Sequence, residues 1–240
     1  EAHRLGLLVL LDVVYNHFGP DGAYLPALSP GVLTDAHQTE WGSAIAFSGP
    51  HAEGVRRHFR ENALMWLSDY RFDGLRLDAT FAIFDDSPRH FLAELSSAVA
   101  QLPGPRRLLI AEDPRNLRDL VLPEEQGGMG LCAIWADDFH HQIRVRLAGD
   151  DRSYFRDFTG SSEDLAATIR GNWFYTGQHS RNLGRERGSD AHDLDPRHFV
   201  YCIQNHDQVG NRPQGTRLHH EVGAAEYRAA SALLLLLPQL

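Results

Sequence analysis

The chain has 240 residues, 42% hydrophobic and 23% charged, enough for one substantial core in an ordinary soluble composition. Its formal net charge of −9, with arginines scattered among acids, argues against a nucleic-acid surface and for a neutral substrate. No apolar run approaches the roughly 18 to 20 residues of a membrane helix, and the longest, Leu233 to Leu237, is stopped by Pro238.

Residues 6–14 are almost continuously apolar apart from Asp12, which predicts a strand buried on both faces in a parallel sheet. The polar, Gly- and Pro-rich stretch over 16–50 reads as a long functional loop. Apolar residues at Val55, Phe59, Ala63 and Leu67 predict a helix over 51–70. A strand over 74–77, a helix over 88–102 opened by Pro88, and a strand over 107–111 follow. Next come a helix over 116–122, a strand over 131–135 and a helix over 140–147. An irregular polar region with a short helix around 163–169 leads to a strand over 199–203 and a final helix over 222–237. Cys132 and Cys202 lie in strand-like apolar stretches and read as small buried hydrophobes, consistent with a reduced, cytoplasmic setting. With no initiating Met and an end in mid-pattern, the chain reads as a fragment.

Five strands alternating with helices require parallel pairing with right-handed crossovers, in a doubly wound sheet or a (β/α)₈ barrel. Asp12, Asp78, Glu112 and Asp207 each fall at or just beyond the C-terminal end of a predicted strand. In a barrel those ends converge on one site. A doubly wound sheet wants a Gly-rich phosphate loop after its first strand, and Asp12-Val-Val-Tyr-Asn-His17 is nothing of the kind. The barrel is therefore the expected fold.

Carboxylates delivered by separate strands to one face suit glycosidic cleavage, in which one attacks the anomeric carbon and a protonated partner donates to the leaving oxygen. Arg76 and Asp78 are two apart, so on a strand both point to one face, and the cation favours an ionised Asp78. Glu112 follows the apolar run Leu108-Leu-Ile-Ala111, where a raised pKa suits an acid. The residues thus suggest Asp78 as nucleophile and Glu112 as general acid/base. Taken singly, each could equally be a helix cap or a salt-bridge partner.

Asp12-Val-Val-Tyr-Asn-His17, Gly74-Leu-Arg-Leu-Asp-Ala79, Ile110-Ala-Glu-Asp113 and Gln204-Asn-His-Asp207 resemble, in order, the four conserved segments of glycoside hydrolase family 13, the α-amylase superfamily. The resemblance implies a fragment of one catalytic (β/α)₈ barrel spanning 1–240, from the third strand to the seventh helix. The first two strands, the eighth and any flanking domains would lie outside it. It implies catalytic roles for Asp78, Glu112 and Asp207, the last gripping sugar hydroxyls and stabilising the transition state. Arg76, His17 and His206 would line the subsite of the attacked glucose, with Asp12 and Asn16 of the first segment, and Gln208 and Asn211 just beyond the fourth, as further contacts.

A finer resemblance is to the malto-oligosyltrehalose trehalohydrolases, carried by His17-Phe-Gly-Pro-Asp-Gly22, Phe72 to Thr80, Trp135-Ala-Asp-Asp-Phe-His-His141 and His206-Asp-Gln-Val-Gly-Asn-Arg212. It implies retaining hydrolysis of the α-1,4 bond beside a trehalose unit, with branching enzyme or α-amylase as enzymatic alternatives and a glucan-binding scaffold as the non-enzymatic one. It makes Asp137, Asp138, Phe139, His140 and His141 candidate substrate contacts, whereas the residues alone read equally well as an acidic helix N-terminus. No cofactor and no metal is expected: adjacent pairs such as His140-His141 suit one ion poorly, and the calcium many amylases hold near the match of Asn16 is not expected in this branch. Tyr24, Trp41, Trp173, Phe174 and Tyr175 fall in predicted loops, where sugar stacking and packing are open alternatives.

Overall fold

Chain order in the computed structural model, which describes residues 1–240, begins with β1 (Leu10–Val13), α1 (Leu25–Leu28), β2 (Leu33–Thr39), β3 (Gly42–Ile45) and α2 (Ala52–Ser68). It continues with β4 (Gly74–Leu77), α3 (Phe91–Ala100), β5 (Leu108–Glu112), β6 (Ala133–Trp135), α4 (Asp138–Ala148) and α5 (Ser162–Gly171). The remainder is β7 (Thr176–Ser180), β8 (Arg185–Gly188), β9 (Phe199–Val200), α6 (His206–Gly210), α7 (Leu218–Glu221) and α8 (Ala224–Leu236). These elements form two units, one of residues 1–113 with 119–134 and one of residues 114–118 with 135–240.

In the first unit the strand order is β1-β4-β5-β6. The β1–β4 and β4–β5 pairs are parallel, with Asp12 beside Arg76 and Arg76 beside Ile110. Leu75, Leu77, Leu109 and Ala111 are buried on these strands. Gly74 is required where β4 meets β5, because a Cβ there would stand 2.5 Å from the Leu108 carbonyl oxygen. The α2 stripe is as predicted: Val55, Phe59, Ala63 and Leu67 are all buried. Phe47 stacks on Phe91 of α3 with ring centroids 4.4 Å apart, and also meets Phe59 of α2, so one aromatic joins the two helices.

Three expectations for this unit are corrected. The first strand is shorter than 6–14 and is not buried on both faces, since Leu8, Leu10 and Val14 are 66%, 42% and 49% exposed. The physical reason is its position at the end of the strand order, where it pairs with β4 alone. The stretch 16–50 is not one irregular loop: it holds α1 and the antiparallel hairpin β2–β3. The helix expected over 88–102 begins only at Phe91, capped by the His90 ring, which accepts from the Leu92 amide, so Pro88 precedes it.

The second unit packs Phe139 of α4 flat against Tyr201 at 4.7 Å and Trp173 edge-on against Phe199 at 5.0 Å. Helix α5 is capped by Ser161, whose Oγ accepts from the Asp164 amide at 3.0 Å. The region expected to be irregular holds the antiparallel hairpin β7–β8. The helix expected over 116–122 is absent; only a single 3₁₀ turn, Arg118–Leu120, forms there. The strand expected over 199–203 ends at Val200. Cys132 and Cys202 are in no disulfide and lie just outside strands, half-buried, and burial pushes the Cys202 thiol up to about 12. No helix is long and apolar enough to cross a membrane.

Candidate active site

Parallel register brings four charged residues of the first unit to one place. Asp12 of β1 lies beside Arg76 of β4, Asp78 is the first residue after β4, and Glu112 ends β5. The Arg76 guanidinium is 5% exposed and donates from Nη1 to Asp12 Oδ1 at 2.8 Å and to Asp78 Oδ1 at 2.7 Å. Its Nη2 stands 3.9 Å from Glu112 Oε2. Burial lowers the Arg76 pKa, but the Asp12 hydrogen bond and the charges of Asp12, Glu112 and Asp78 outweigh it, so the group is held cationic.

Asp78 is held from its other side as well. Asn16 is fully buried and its Nδ2 donates both to the Asp78 carbonyl at 2.5 Å and to Oδ2 at 3.0 Å. His17 Nδ1 is hydrogen-bonded to Asn16 Oδ1, and Trp41 stacks on the His17 ring at 4.0 Å. Burial lowers the His17 pKa from its ordinary value, partly offset by the negative charge of Asp78. Ala79 has φ +38°, a left-handed conformation rare for a residue with a side chain. In that conformation its amide donates to Glu112 Oε2 at 2.6 Å.

The second unit presents Asp207 in the first turn of α6, seven residues past Val200 and so further beyond its strand than expected. Asn205 caps this short helix, its Oδ1 accepting from the amides of Asp207 at 3.0 Å and Gln208 at 3.3 Å. His206 and Asp207 are exposed, with His206 Nε2 3.4 Å from Asp207 Oδ1 and its ring edge-on to Trp135 at 6.4 Å. The segment borders a cavity of about 610 Å³ lined by Asp150, Tyr154, Gln208, Asn211 and Arg212.

No family model matches the chain. It is 51% identical to a malto-oligosyltrehalose trehalohydrolase of Deinococcus radiodurans over 238 residues, covering 98% of this chain and 38% of that protein. It is 40% identical to the enzyme of the same name from Saccharolobus solfataricus, covering 99% of this chain and 42% of that protein. A crystal structure of a Salmonella typhimurium protein assigned as an alpha amylase superimposes with a TM-score of 0.91 at 40% identity, over 100% of this chain and 41% of that one. The chain is similar to these proteins over nearly its whole length. It spans about two fifths of the length of the curated relatives it matches. Its parallel sheet and helices are those of an α-amylase-type fold.

Part of the trehalohydrolase-like stretch 135–141 is structural, which corrects the expectation of substrate contact there. Asp138 is 0% exposed and accepts from Asn116 Nδ2 at 2.7 Å, the Phe174 and Tyr175 amides at 2.8 and 3.1 Å, and Arg187 Nη2 at 2.8 Å. With four donors it is a structural hub that ties α4 to the β7–β8 hairpin. Phe139 and His140 are fully buried and His141 nearly so. The two imidazoles share a hydrogen bond at 2.9 Å. Burial drives both below the ordinary histidine value, His141 to about 3, so both are neutral at pH 7. Asp137 alone of the five is a half-buried carboxylate, at the start of α4 but without a side-chain cap bond. Trp173 and Tyr175 are packed inside, with Trp173 Nε1 donating to the Ser189 carbonyl at 2.8 Å, so for them packing is the answer. Tyr24 is 76% exposed.

Sequence reasoning missed what holds α6, a helix with no buried residue. Arg212, just beyond it, donates to Asp150 at 2.7 Å and Glu221 at 2.8 Å, and Arg144 donates to the same two carboxylates, both at 2.6 Å. Burial raises the Asp150 pKa, but hydrogen bonds and charge from Arg144 and Arg212 outweigh it and hold it below the usual value. A depressed folded-state pKa stabilises the fold above the unfolded value of about 4, and the contribution is lost as pH falls through the folded value. Arg144→Met, which removes one of the two guanidinium partners of each carboxylate, is expected to destabilise by about 2 kcal/mol at pH 7, and by less below about pH 4. Urea unfolding at the two pH values checks this, and an unchanged midpoint at pH 7 would contradict it.

Proposed function

We propose that the protein is a retaining α-glucan hydrolase that cleaves the α-1,4-glucosidic bond beside the trehalose unit of malto-oligosyltrehalose, releasing trehalose. In this reading the 240 residues are part of one catalytic (β/α)₈ barrel, from its third strand to its seventh helix, in a cytoplasmic enzyme. The observation that carries the chemistry is the unequal hold of Arg76 on two carboxylates, 2.7 Å from Asp78 and 3.9 Å from Glu112.

The guanidinium donates a hydrogen bond to Asp78 at 2.7 Å but only stands near Glu112 at 3.9 Å, so it fixes the orientation of Asp78 and leaves Glu112 less constrained. With Arg76 on Oδ1 and Asn16 on Oδ2, Asp78 is held in one orientation, which suits a nucleophile. It attacks the anomeric carbon and forms a glycosyl-enzyme ester. Glu112 Oε2 accepts from the Ala79 amide, so the acid proton belongs on Oε1, which delivers it to the departing trehalose oxygen. Glu112, now ionised, takes a proton from water, which attacks the same carbon and restores Asp78 with net retention. Asp207 grips sugar hydroxyls and opposes the positive charge of the oxocarbenium-like transition state. Asp12, His17, His206, Gln208, Asn211 and Asp137 are assigned to substrate binding.

The names of the relatives support trehalose release over its rivals. The full-length protein incubated with maltosyltrehalose should release trehalose and maltose, with the α-anomer formed first, while maltopentaose should be a poor substrate. Ready cleavage of maltopentaose without trehalose release would point to an α-amylase. Chain transfer would point to a branching enzyme, and binding without turnover to a glucan-binding scaffold.

A further inference from the structure

We propose that Trp41 is a positioning residue that fixes the Asp78 carboxylate through His17 and Asn16. The inference rests on Asp78 being the nucleophile. Trp41 sits in the turn between β2 and β3, where its amide donates to Thr39 Oγ1 at 3.1 Å. That hairpin is fastened to the segment after β4: His37 Nε2 stands 2.8 Å from an Asp86 carboxylate oxygen, and the His37 ring stacks on Phe84 at 4.8 Å and 6°. The indole is thus carried on an anchored arm.

Its face lies on the His17 ring at 4.0 Å with 13° between the planes. Next in line is the His17 Nδ1 contact with Asn16 Oδ1. The Nδ2 group of Asn16 is committed to the carbonyl and the Oδ2 of Asp78, so its Oδ1 can only accept. His17 Nδ1 therefore carries the hydrogen, and the ring must keep one plane and one tautomer for the bond to persist. The stacked indole supplies that constraint, because a half-buried imidazole on a loop otherwise turns about its side-chain torsions. Asn16 is wholly buried, so once His17 turns away its amide oxygen has no solvent partner and the side chain is driven to rotate. The carboxylate then loses its Oδ2 donor. One aromatic face removed from the reacting atoms by two side chains sets the angle of attack.

The test uses the full-length protein with Trp41→Ala, Trp41→Leu and Trp41→Phe, assayed on maltosyltrehalose and on α-maltosyl fluoride, with Tm recorded. Leu keeps bulk without a ring, and so retains a readout if Ala fails to fold. We expect Trp41→Ala and Trp41→Leu to lose kcat on the order of tenfold or more on both substrates, with a smaller rise in KM because His17 is also assigned to substrate binding. Trp41→Phe should recover kcat to within about threefold of the unaltered protein, because a ring face is restored. A fluoride leaving group needs no acid, so equal losses on both substrates locate the defect at the nucleophile.

A loss confined to KM would make Trp41 a sugar-stacking platform and overturn the inference. So would a loss seen on the oligosaccharide alone, or a lowered Tm with normal kcat. Asp78→Asn is run in parallel: if it is inactive while Trp41→Leu turns over normally, this inference alone falls. If Asp78→Asn is itself active, the functional reading falls instead.

Discussion

Replacing Asp78 by Asn is expected to reduce trehalose release by on the order of 10⁴-fold or more, while thermal unfolding and glucan binding stay close to those of the unaltered protein. The substitution keeps the size of the side chain and gives up one hydrogen bond, since its amide nitrogen must face either the Arg76 or the Asn16 donor. What is lost is the negative charge that attacks the anomeric carbon. The loss also unbalances the charge cluster: Arg76 keeps Asp12 at 2.8 Å and Glu112 at 3.9 Å, but no longer has the charged acceptor at 2.7 Å that follows β4. Steady-state kinetics on maltosyltrehalose, with binding of the intact substrate measured on the variant, separates charge from shape. Near-normal turnover would mean that Asp78 is one more partner in a structural ion cluster, and a glucan-binding scaffold would become the leading reading.

Glu112→Gln should be nearly as damaging to the natural oligosaccharide, with a loss of about 10² to 10⁴, yet should retain much more activity on α-maltosyl fluoride. The alkoxide departing from an α-1,4 bond needs a proton in the transition state, whereas fluoride does not. In the variant the Ala79 amide still has an oxygen to donate to, provided the carboxamide oxygen takes the place of Oε2, so the left-handed turn at Ala79 is preserved. The second step, deprotonation of water, remains impaired, and the glycosyl-enzyme should accumulate with the fluoride as donor. Mass spectrometry of the quenched reaction would detect a protein heavier by the maltosyl group. Equal losses on both substrates, with no such species, would remove Glu112 from the acid role.

Much of this protein was legible from local pattern. The stripe Val55, Phe59, Ala63 and Leu67 reports the buried face of a helix because 3.6-residue periodicity is a property of the helix itself. Arg76 and Asp78 could be set on one face before any coordinates, since alternate residues of a strand share a side, and their 2.7 Å contact is the outcome. Other features escaped the pattern because they depend on partners distant in sequence. The hairpins β2–β3 and β7–β8 are ribbons rich in polar residues, several of them exposed, so they lack the apolar alternation that marks a half-buried strand. Residues 6–14 are as apolar as a central strand, but burial requires a neighbour on each side, and β1 has one.

The functional residues divide in the same way. That Asp12, Asp78 and Glu112 stand at or near strand ends follows from the order of residues along the chain. That one guanidinium links all three follows only from the register of three strands, which sets Arg76 against an aspartate 64 residues away in sequence. Asp138 carries no mark in sequence that distinguishes it from its neighbour Asp137. The difference arises because the first turn of α4 directs Asp138 inward onto Asn116, Arg187 and two backbone amides, and a carboxylate taken out of water must find donors to remain there. Composition and periodicity therefore determined the strands of the parallel sheet, most of the helices and the acidic cluster near the strand ends. Which carboxylates are exposed for chemistry and which are consumed in holding the fold was decided by tertiary contacts, because burial and hydrogen bonding belong to the assembled chain and not to any one residue.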